Sequence, residues 1–267
     1  MRLTRSLSAA SVIVFALLLA LLGISPAQAA GPAYVALGDS YSSGNGAGSY
    51  IDSSGDCHRS NNAYPARWAA ANAPSSFTFA ACSGAVTTDV INNQLGALNA
   101  STGLVSITIG GNDAGFADAM TTCVTSSDST CLNRLATATN YINTTLLARL
   151  DAVYSQIKAR APNARVVVLG YPRMYLASNP WYCLGLSNTK RAAINTTADT
   201  LNSVISSRAT AHGFRFGDVR PTFNNHELFF GNDWLHSLTL PVWESYHPTS
   251  TGHQSGYLPV LNANSST

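Results

Sequence analysis

Charge is scarce in this chain, and lysine is almost absent. Asp, Glu, Lys and Arg make up 10% of the 267 residues, against about a quarter in an average soluble domain. Lys158 and Lys190 are the only lysines, and the arginines are scattered. Phosphate backbones are held by clustered Lys and Arg, so no nucleic-acid partner is expected. No two histidines stand at metal-ligand spacing beside a carboxylate, so no metal is expected, and no cofactor motif occurs. The G-x-S-x-G elbow of the α/β hydrolases is missing too. Past residue 30, no apolar run approaches the ~20 residues of a membrane-spanning helix, and there is no internal repeat or linker.

The first thirty residues follow a different logic. Arg2 and Arg5 precede an apolar stretch from Val12 to Leu22, and Gly23 to Ala30 is made largely of small residues. Basic, apolar, then small is the order of a secretory signal peptide. Ala27 and Ala29 place cleavage after Ala29, with cleavage after Ala30 as the alternative. The apolar run is too short for a stable membrane anchor, so the mature protein is expected to be secreted, extracellular and monomeric. Cleavage removes Arg2 and Arg5 but no acidic residue, which takes the formal net charge of +2 to about zero. Residues 30–267 fit a single domain large enough to bury a core.

Cys57, Cys82, Cys123, Cys131 and Cys183 would enter an oxidising compartment, so disulfides are expected. Spacing alone does not fix their connectivity. Cys123–Cys131 is the simplest local pair, closing a short Ser/Thr/Asp loop. Cys57–Cys82 would then remain, with Cys183 left over.

Strands and helices alternate along the chain. Tyr34–Gly38, Phe77–Ala81, Leu104–Ile109, Val166–Leu169 and Phe214–Phe216 read as short strands, several of them continuous apolar runs. Helical segments are expected at Tyr64–Asn72, Thr87–Leu98, Leu132–Arg160, Thr189–His212 and Thr249–Leu261, the last limited by Pro259. Ser42–Ser60, rich in Ser, Gly and Asn, reads as loop. Such alternation predicts an α/β fold, a parallel sheet covered on both faces in three layers. Ligands of such sheets bind outside the carboxyl ends of the strands.

That is where the chemically useful residues fall. Gly38-Asp39-Ser40 follows the first strand and offers a hydroxyl, although a Ser there can equally be a turn or helix-capping residue. Cys82-Ser83-Gly84 follows the second; Gly84 could present its N–H, or simply make a turn. Gly110-Gly111-Asn112-Asp113 follows the third, where Asn112 could aim an amide N–H₂ or form an Asx turn. A hydroxyl, two donors and a base would make a nucleophile facing an oxyanion hole. His247, in Glu244-Ser245-Tyr246-His247-Pro248-Thr249, is the best-placed base of the six histidines: it sits in a loop before the last helix. His58 suggests a surface role and His212 a polar helix end, while His226, His236 and His253 lack a comparable setting.

Taken in order, Gly38-Asp39-Ser40, Gly84, Gly110-Gly111-Asn112-Asp113 and His247 resemble the blocks of the SGNH-hydrolase (GDSL) superfamily. The similarity covers the whole mature chain and looks closest to the secreted GDSL lipases and phospholipases of Streptomyces. The resemblance implies a flavodoxin-like sheet of five parallel strands and no cofactor. It implies Ser40 as nucleophile, His247 as base, and an oxyanion hole from the N–H groups of Ser40 and Gly84 and the side chain of Asn112. Many relatives carry an Asp three residues before the base, where this chain has Glu244. Either that carboxylate or, preferred here, the main-chain carbonyl of Ser245 would orient His247. Relatives also often have six cysteines in three bridges. His226-Glu227-Leu228-Phe229-Phe230-Gly231 holds Phe where a partner for Cys183 would be expected.

The resemblance further implies a lipid or fatty-acyl ester substrate such as an acylglycerol, with phospholipids and thioesters open to the same chemistry. Leu228-Phe229-Phe230, Trp234 and Trp243 could line an acyl groove or belong to the core. An acetyl esterase acting on polysaccharides is the alternative within the family, and a noncatalytic binding protein on the same fold the alternative outside it.

Overall fold

The apolar strand segments form a parallel sheet whose order follows from what each strand can bury. The computed structural model describes residues 31–176 and 186–266; the expected signal peptide (1–29) and Cys183 lie outside them. Strands β1 (Ala33–Gly38), β2 (Phe77–Phe79), β3 (Thr102–Thr108), β4 (Arg165–Leu169) and β5 (Arg215–Gly217) run in the order β2-β1-β3-β4-β5, every pair parallel. This is the flavodoxin-like order, and its switch point lies between β1 and β3. Tyr34–Leu37 and Val166–Leu169 are buried as unbroken runs, as expected for strands covered on both faces.

Two groups of helices provide that cover. One consists of α2 (Tyr64–Asn72), α7 (Arg220–Phe223) and α8 (250–265), with α8 packing on β4 and β5. The other consists of α3 (87–97), α4 (Phe116–Thr125), α5 (128–160) and α6 (Asn188–Ala211), with α3 against β1 and α6 against β4 and β5. The short α1 (Ser40–Ser43) follows β1 directly. Pro32 onward makes up one compact unit. Among the described residues, no helix is long and apolar enough to cross a membrane.

The three-layer α/β architecture expected from the alternation is therefore present, and the differences lie in irregular places. Ser42–Ser60 is not all loop: α1 ends at Ser43, and a tight turn of helix spans Asp52–Cys57. Helix α4 carries no side-chain cap, since Gly115 occupies its N-cap in a left-handed conformation, so the sequence gives no start signal there. Helix α8 continues past Leu261 although Pro259 lies inside it, directly after the wide turn at Gly252–Tyr257, where the regular ladder of helical hydrogen bonds is already altered. Cys57–Cys82 and Cys123–Cys131 are both disulfides, the former joining the segment after α1 to the segment after β2.

Helix α3 is distorted for a reason that bears on the sheet. A wide turn at Val90–Gln94 leaves Gln94 buried, with its side-chain oxygen accepting from Gly38 N (2.7 Å) and its amide donating to Gly38 O (2.9 Å). The last residue of β1 is thus held from both sides. Gly38 has φ +121°, and an added Cβ would lie 2.4 Å from Thr108 O. No L side chain fits there. Gly38→Ala is expected to lose at least about 2 kcal/mol of stability, from backbone strain and overpacking together. Urea denaturation reads this directly, and a midpoint unchanged from the parent would show that the strand end relaxes instead.

Candidate active site

Ser40 is the first residue of α1. Asp39 caps this helix, its Oδ1 accepting from Tyr41 N at 3.0 Å. N–H groups in a first turn have no acceptor within their own helix, so Ser40 combines a hydroxyl with an available backbone donor. Its Oγ lies 2.8 Å from His247 Nε2, a contact across 207 residues that the fold creates.

Asp39 itself is buried and accepts three hydrogen bonds: from Tyr41 N, from Thr108 Oγ1 (2.7 Å) and from the Tyr171 hydroxyl. Burial raises its pKa to about 6, against the pull of those donors. Tyr171 OH in turn accepts from Gly111 N at 3.2 Å, which ties the residue before Asn112 to the residue before Ser40. Thr108 Oγ1 also meets Ser42 Oγ at 2.8 Å, and Ser42 Oγ meets Tyr64 OH at 2.8 Å. No sequence signal announced Thr108 or Tyr171, and Asp39 stood out only as part of the Gly38-Asp39-Ser40 block.

The second and third strand ends are also joined. Asn112 Nδ2 donates to Ala85 O at 3.1 Å, which orients the amide and leaves its other N–H for a ligand. Asp113 accepts from Thr87 N (3.0 Å) and Thr87 Oγ1 (2.6 Å). Gly84 has φ +75° and open space where a Cβ would be, so its position calls for glycine's conformation and is not shielded. Asn45 Nδ2 donates to Ser83 Oγ at 2.8 Å, which holds this loop against the end of α1.

His247 sits on an arm whose stem is a pair of facing backbone segments: His236 N donates to His247 O, and Tyr246 N to His236 O, each at 2.9 Å. Tyr41 OH donates to Tyr246 O (2.6 Å), and His236 Nε2 contacts Gly46 O (2.8 Å). Burial lowers the His247 pKa to about 4, although the carbonyls of Ser245, Glu244 and Trp243 favour its proton. The imidazole is neutral at pH 7 and able to accept a proton at Nε2. Its Nδ1 is buried without a hydrogen bond of full geometry, and the Ser245 carbonyl leads the polar groups beside it. The Glu244 carboxylate accepts instead from Tyr50 OH at 2.6 Å, and that hydroxyl accepts from Gly46 N at 3.0 Å.

The remaining histidines are occupied elsewhere. His58 stacks on Trp243 with ring centroids 3.9 Å apart, and His226 on Trp234 at 3.6 Å. His212 meets Asp151 at 2.9 Å at the end of α6. His253 is buried beside Tyr64 and Tyr257. Among the described residues, no group of side chains could hold a metal ion.

A cleft of about 690 Å³, counting its open mouth, leads away from Ser40 and Asn112. Its walls are apolar: Phe116 and Met120 of α4, Leu135 and Ile142 of α5, Ile194 and Leu201 of α6. The aromatic residues considered from sequence are not part of it. Leu228 is fully buried, Phe229 and Trp234 pack against the core, and Trp243 packs on Tyr50 and His58. The apolar groove is built from helices instead, one of which the sequence did not reveal.

The chain is similar to proteins already known. Residues 36–255 match the model of the GDSL-like Lipase/Acylhydrolase family. Lipase 1 of Streptomyces coelicolor is 60% identical, over 98% of this chain and 99% of its own. The crystal structure of phospholipase A1 from Streptomyces albidoflavus is 59% identical, with a TM-score of 0.85, covering 88% of this chain and 100% of that one. The extracellular lipase of Streptomyces rimosus is likewise 59% identical, with a TM-score of 0.86, over 87% of this chain and 99% of its own. An acetylxylan esterase from Geobacillus stearothermophilus, 15% identical with a TM-score of 0.56 over 89% of this chain and 95% of that one, shares the fold.

The buried titratable groups set a pH dependence of stability. His247 and His253 have pKa values lowered by burial to about 4 and about 3, so below pH 6.5 the unfolded chain gains two protons that the folded one does not. Asp39, raised to about 6, works the other way, because the folded chain is protonated there first. Between pH 6 and pH 4 the unfolded state holds about one more proton. Stability should therefore fall by about 1.4 kcal/mol per pH unit as pH drops through that window. Urea midpoints at half-unit steps would show this slope, and a flat profile would mean that these groups are not buried in the forms assigned.

Proposed function

The chain belongs to the GDSL-like lipase/acylhydrolase family, and from that premise we propose that it is an extracellular serine ester hydrolase cleaving fatty-acyl esters such as acylglycerols. The observation that carries the reading is the 2.8 Å contact between Ser40 Oγ and a neutral His247 beside an apolar cleft that Ser40 lines. The leader-like N-terminus and the kinship to an extracellular lipase support export.

In this reading Ser40 Oγ attacks the ester carbonyl while its proton passes to His247 Nε2. Negative charge builds on the carbonyl oxygen, and the N–H groups of Ser40 and Gly84 and the free amide N–H of Asn112 stabilise it. The tetrahedral intermediate collapses, the alcohol leaves with the proton from His247, and the acyl group remains on Ser40. His247 then takes a proton from water, which attacks the acyl-enzyme and releases the acid. The acyl chain lies along the walls of α4, α5 and α6, where each buried CH₂ contributes about 0.8 kcal/mol. The Ser245 carbonyl holds the Nδ1 proton of His247. Relatives named lipase and phospholipase A1 support acylglycerols and phospholipids as substrate classes, with thioesters open to the same acyl transfer.

A series of p-nitrophenyl esters tests the substrate class: kcat/KM should rise from acetyl to octanoyl by about tenfold or more, following burial of the added CH₂ groups. A maximum at acetyl that has fallen away by hexanoyl would replace this reading with that of an acetyl esterase acting on polysaccharides.

The orientation of the base has its own test. Glu244→Gln keeps an oxygen for the Tyr50 hydroxyl, so its turnover should stay within about tenfold of the parent, far above that of His247→Ala. A loss matching His247→Ala would make Glu244 the orienting group.

A further inference from the structure

The arm that carries His247 ends in a tip that is apolar where it should be polar. Leu238, Leu240 and Val242 expose 65%, 84% and 62% of their surface. The other exposed large apolar side chains among the described residues, Leu132 and Phe230, expose only 36% and 45%. Three such side chains within five residues are not the scatter of single apolar groups found on ordinary surfaces. The tip is not a frayed end. Thr239 N donates to Ser245 Oγ (3.0 Å) and Ser245 Oγ donates to Thr239 O (3.2 Å), which fixes it two residues from His247, above the paired stem.

We propose that Leu238, Leu240 and Val242 form a docking tip that inserts into an acyl-lipid surface of zero net charge and so presents the Ser40–His247 site to the lipid–water boundary. The choice of partner rests on the acyl-ester reading given above, and three observations select it. From Trp234 to Trp243 the arm holds no Lys, Arg, Asp or Glu, and both lysines of the chain lie elsewhere, at Lys158 and Lys190. Attraction to an anionic lipid surface needs clustered Lys and Arg, so a neutral or zwitterionic surface is the match. Three aliphatic side chains supply a few hundred Å² of apolar surface at most, well short of the ~800 Å² per partner of a stable dimer, yet enough to partition into an interface. The tip is also continuous with the arm that carries His247, through the paired stem and the Thr239–Ser245 contacts.

Binding can be separated from catalysis by using the full chain with Ser40→Ala, which cannot consume its target. Sedimentation with phosphatidylcholine vesicles should pellet this protein. Adding Leu240→Ser should weaken partitioning by about tenfold or more, and adding L238S, L240S and V242S together should abolish it. Because these side chains are in solvent, thermal unfolding of the variants should match the parent. In an otherwise unaltered chain, the triple change should leave hydrolysis of soluble p-nitrophenyl butyrate intact. Equal partitioning of parent and variants would overturn the proposal, as would no binding by Ser40→Ala or a parent dimer that the triple change dissolves. Vesicle binding without esterase activity would instead sink the hydrolase reading and leave the docking tip standing.

Discussion

A single buried carboxylate holds the Ser40 half of the site together. Asp39 lies at the end of β1, with Thr108 at the end of β3 and Tyr171 just past β4 both donating to it, while its other contact caps α1. An ionised carboxylate out of water is costly unless donors surround it, so the three strand ends must stay in register for Asp39 to remain charged. The same register sets Ser40 at the head of α1 and, through Tyr171 and Gly111, the approach to Asn112. Hydroxyl and amide donor are thus spaced by a polar knot beneath them rather than by their own loops. Gln94 and the close approach of Gly38 to Thr108 O extend the same constraint into the sheet.

The His247 half is organised on different principles. His247 belongs to no strand or helix; its position comes from a paired stem and from straps to the segment after Ser40. Tyr41 to the Tyr246 carbonyl, Tyr50 to Glu244, His236 to the Gly46 carbonyl and Asn45 to the Trp243 carbonyl (3.4 Å) all cross between residues 41–50 and 236–246. Each is a contact at 2.6 to 3.4 Å to a main-chain carbonyl or a carboxylate. Among these straps, the Glu244 carboxylate meets the Tyr50 hydroxyl rather than the imidazole of His247.

The sheet was largely legible from the sequence because buried parallel strands must be apolar on both faces, and Tyr34–Leu37 and Val166–Leu169 are. Helix α2 was legible to the residue, from Tyr64 to Asn72, because its Ala-rich run ends cleanly. Ser40, Gly84, Asn112 and His247 could be picked out because each carries its chemistry in its own side chain or backbone. Thr108, Tyr171, Tyr50 and Gln94 could not, since their value lies only in partners 56 to 194 residues away. The segment 228–230 stayed open between groove and core for a related reason: side chains fit to line a groove are equally fit to fill a core, and topology alone decides. The groove went instead to α4, α5 and α6, whose Ala, Met, Ile and Leu residues look like ordinary core from sequence.

Cleft and arm tip together suggest how a protein with few charges would handle an insoluble ester. A formal net charge of only +2 gives little long-range electrostatic pull toward a surface, so capture would rest on short-range apolar contact. The tip offers such contact outside the site, and the helical cleft offers it inside, with Ser40 and Asn112 among its lining residues. An acyl chain moving from lipid to cleft would then exchange one apolar environment for another, and its hydrophobic transfer energy would be nearly balanced. Discrimination would come from how far the chain fits between Met120, Leu135, Ile142 and Leu201, rather than from desolvation. In that arrangement the Ser40–His247 pair needs no affinity for the lipid of its own, and the charge-stabilising donors can be reserved for the moment the carbonyl becomes an oxyanion.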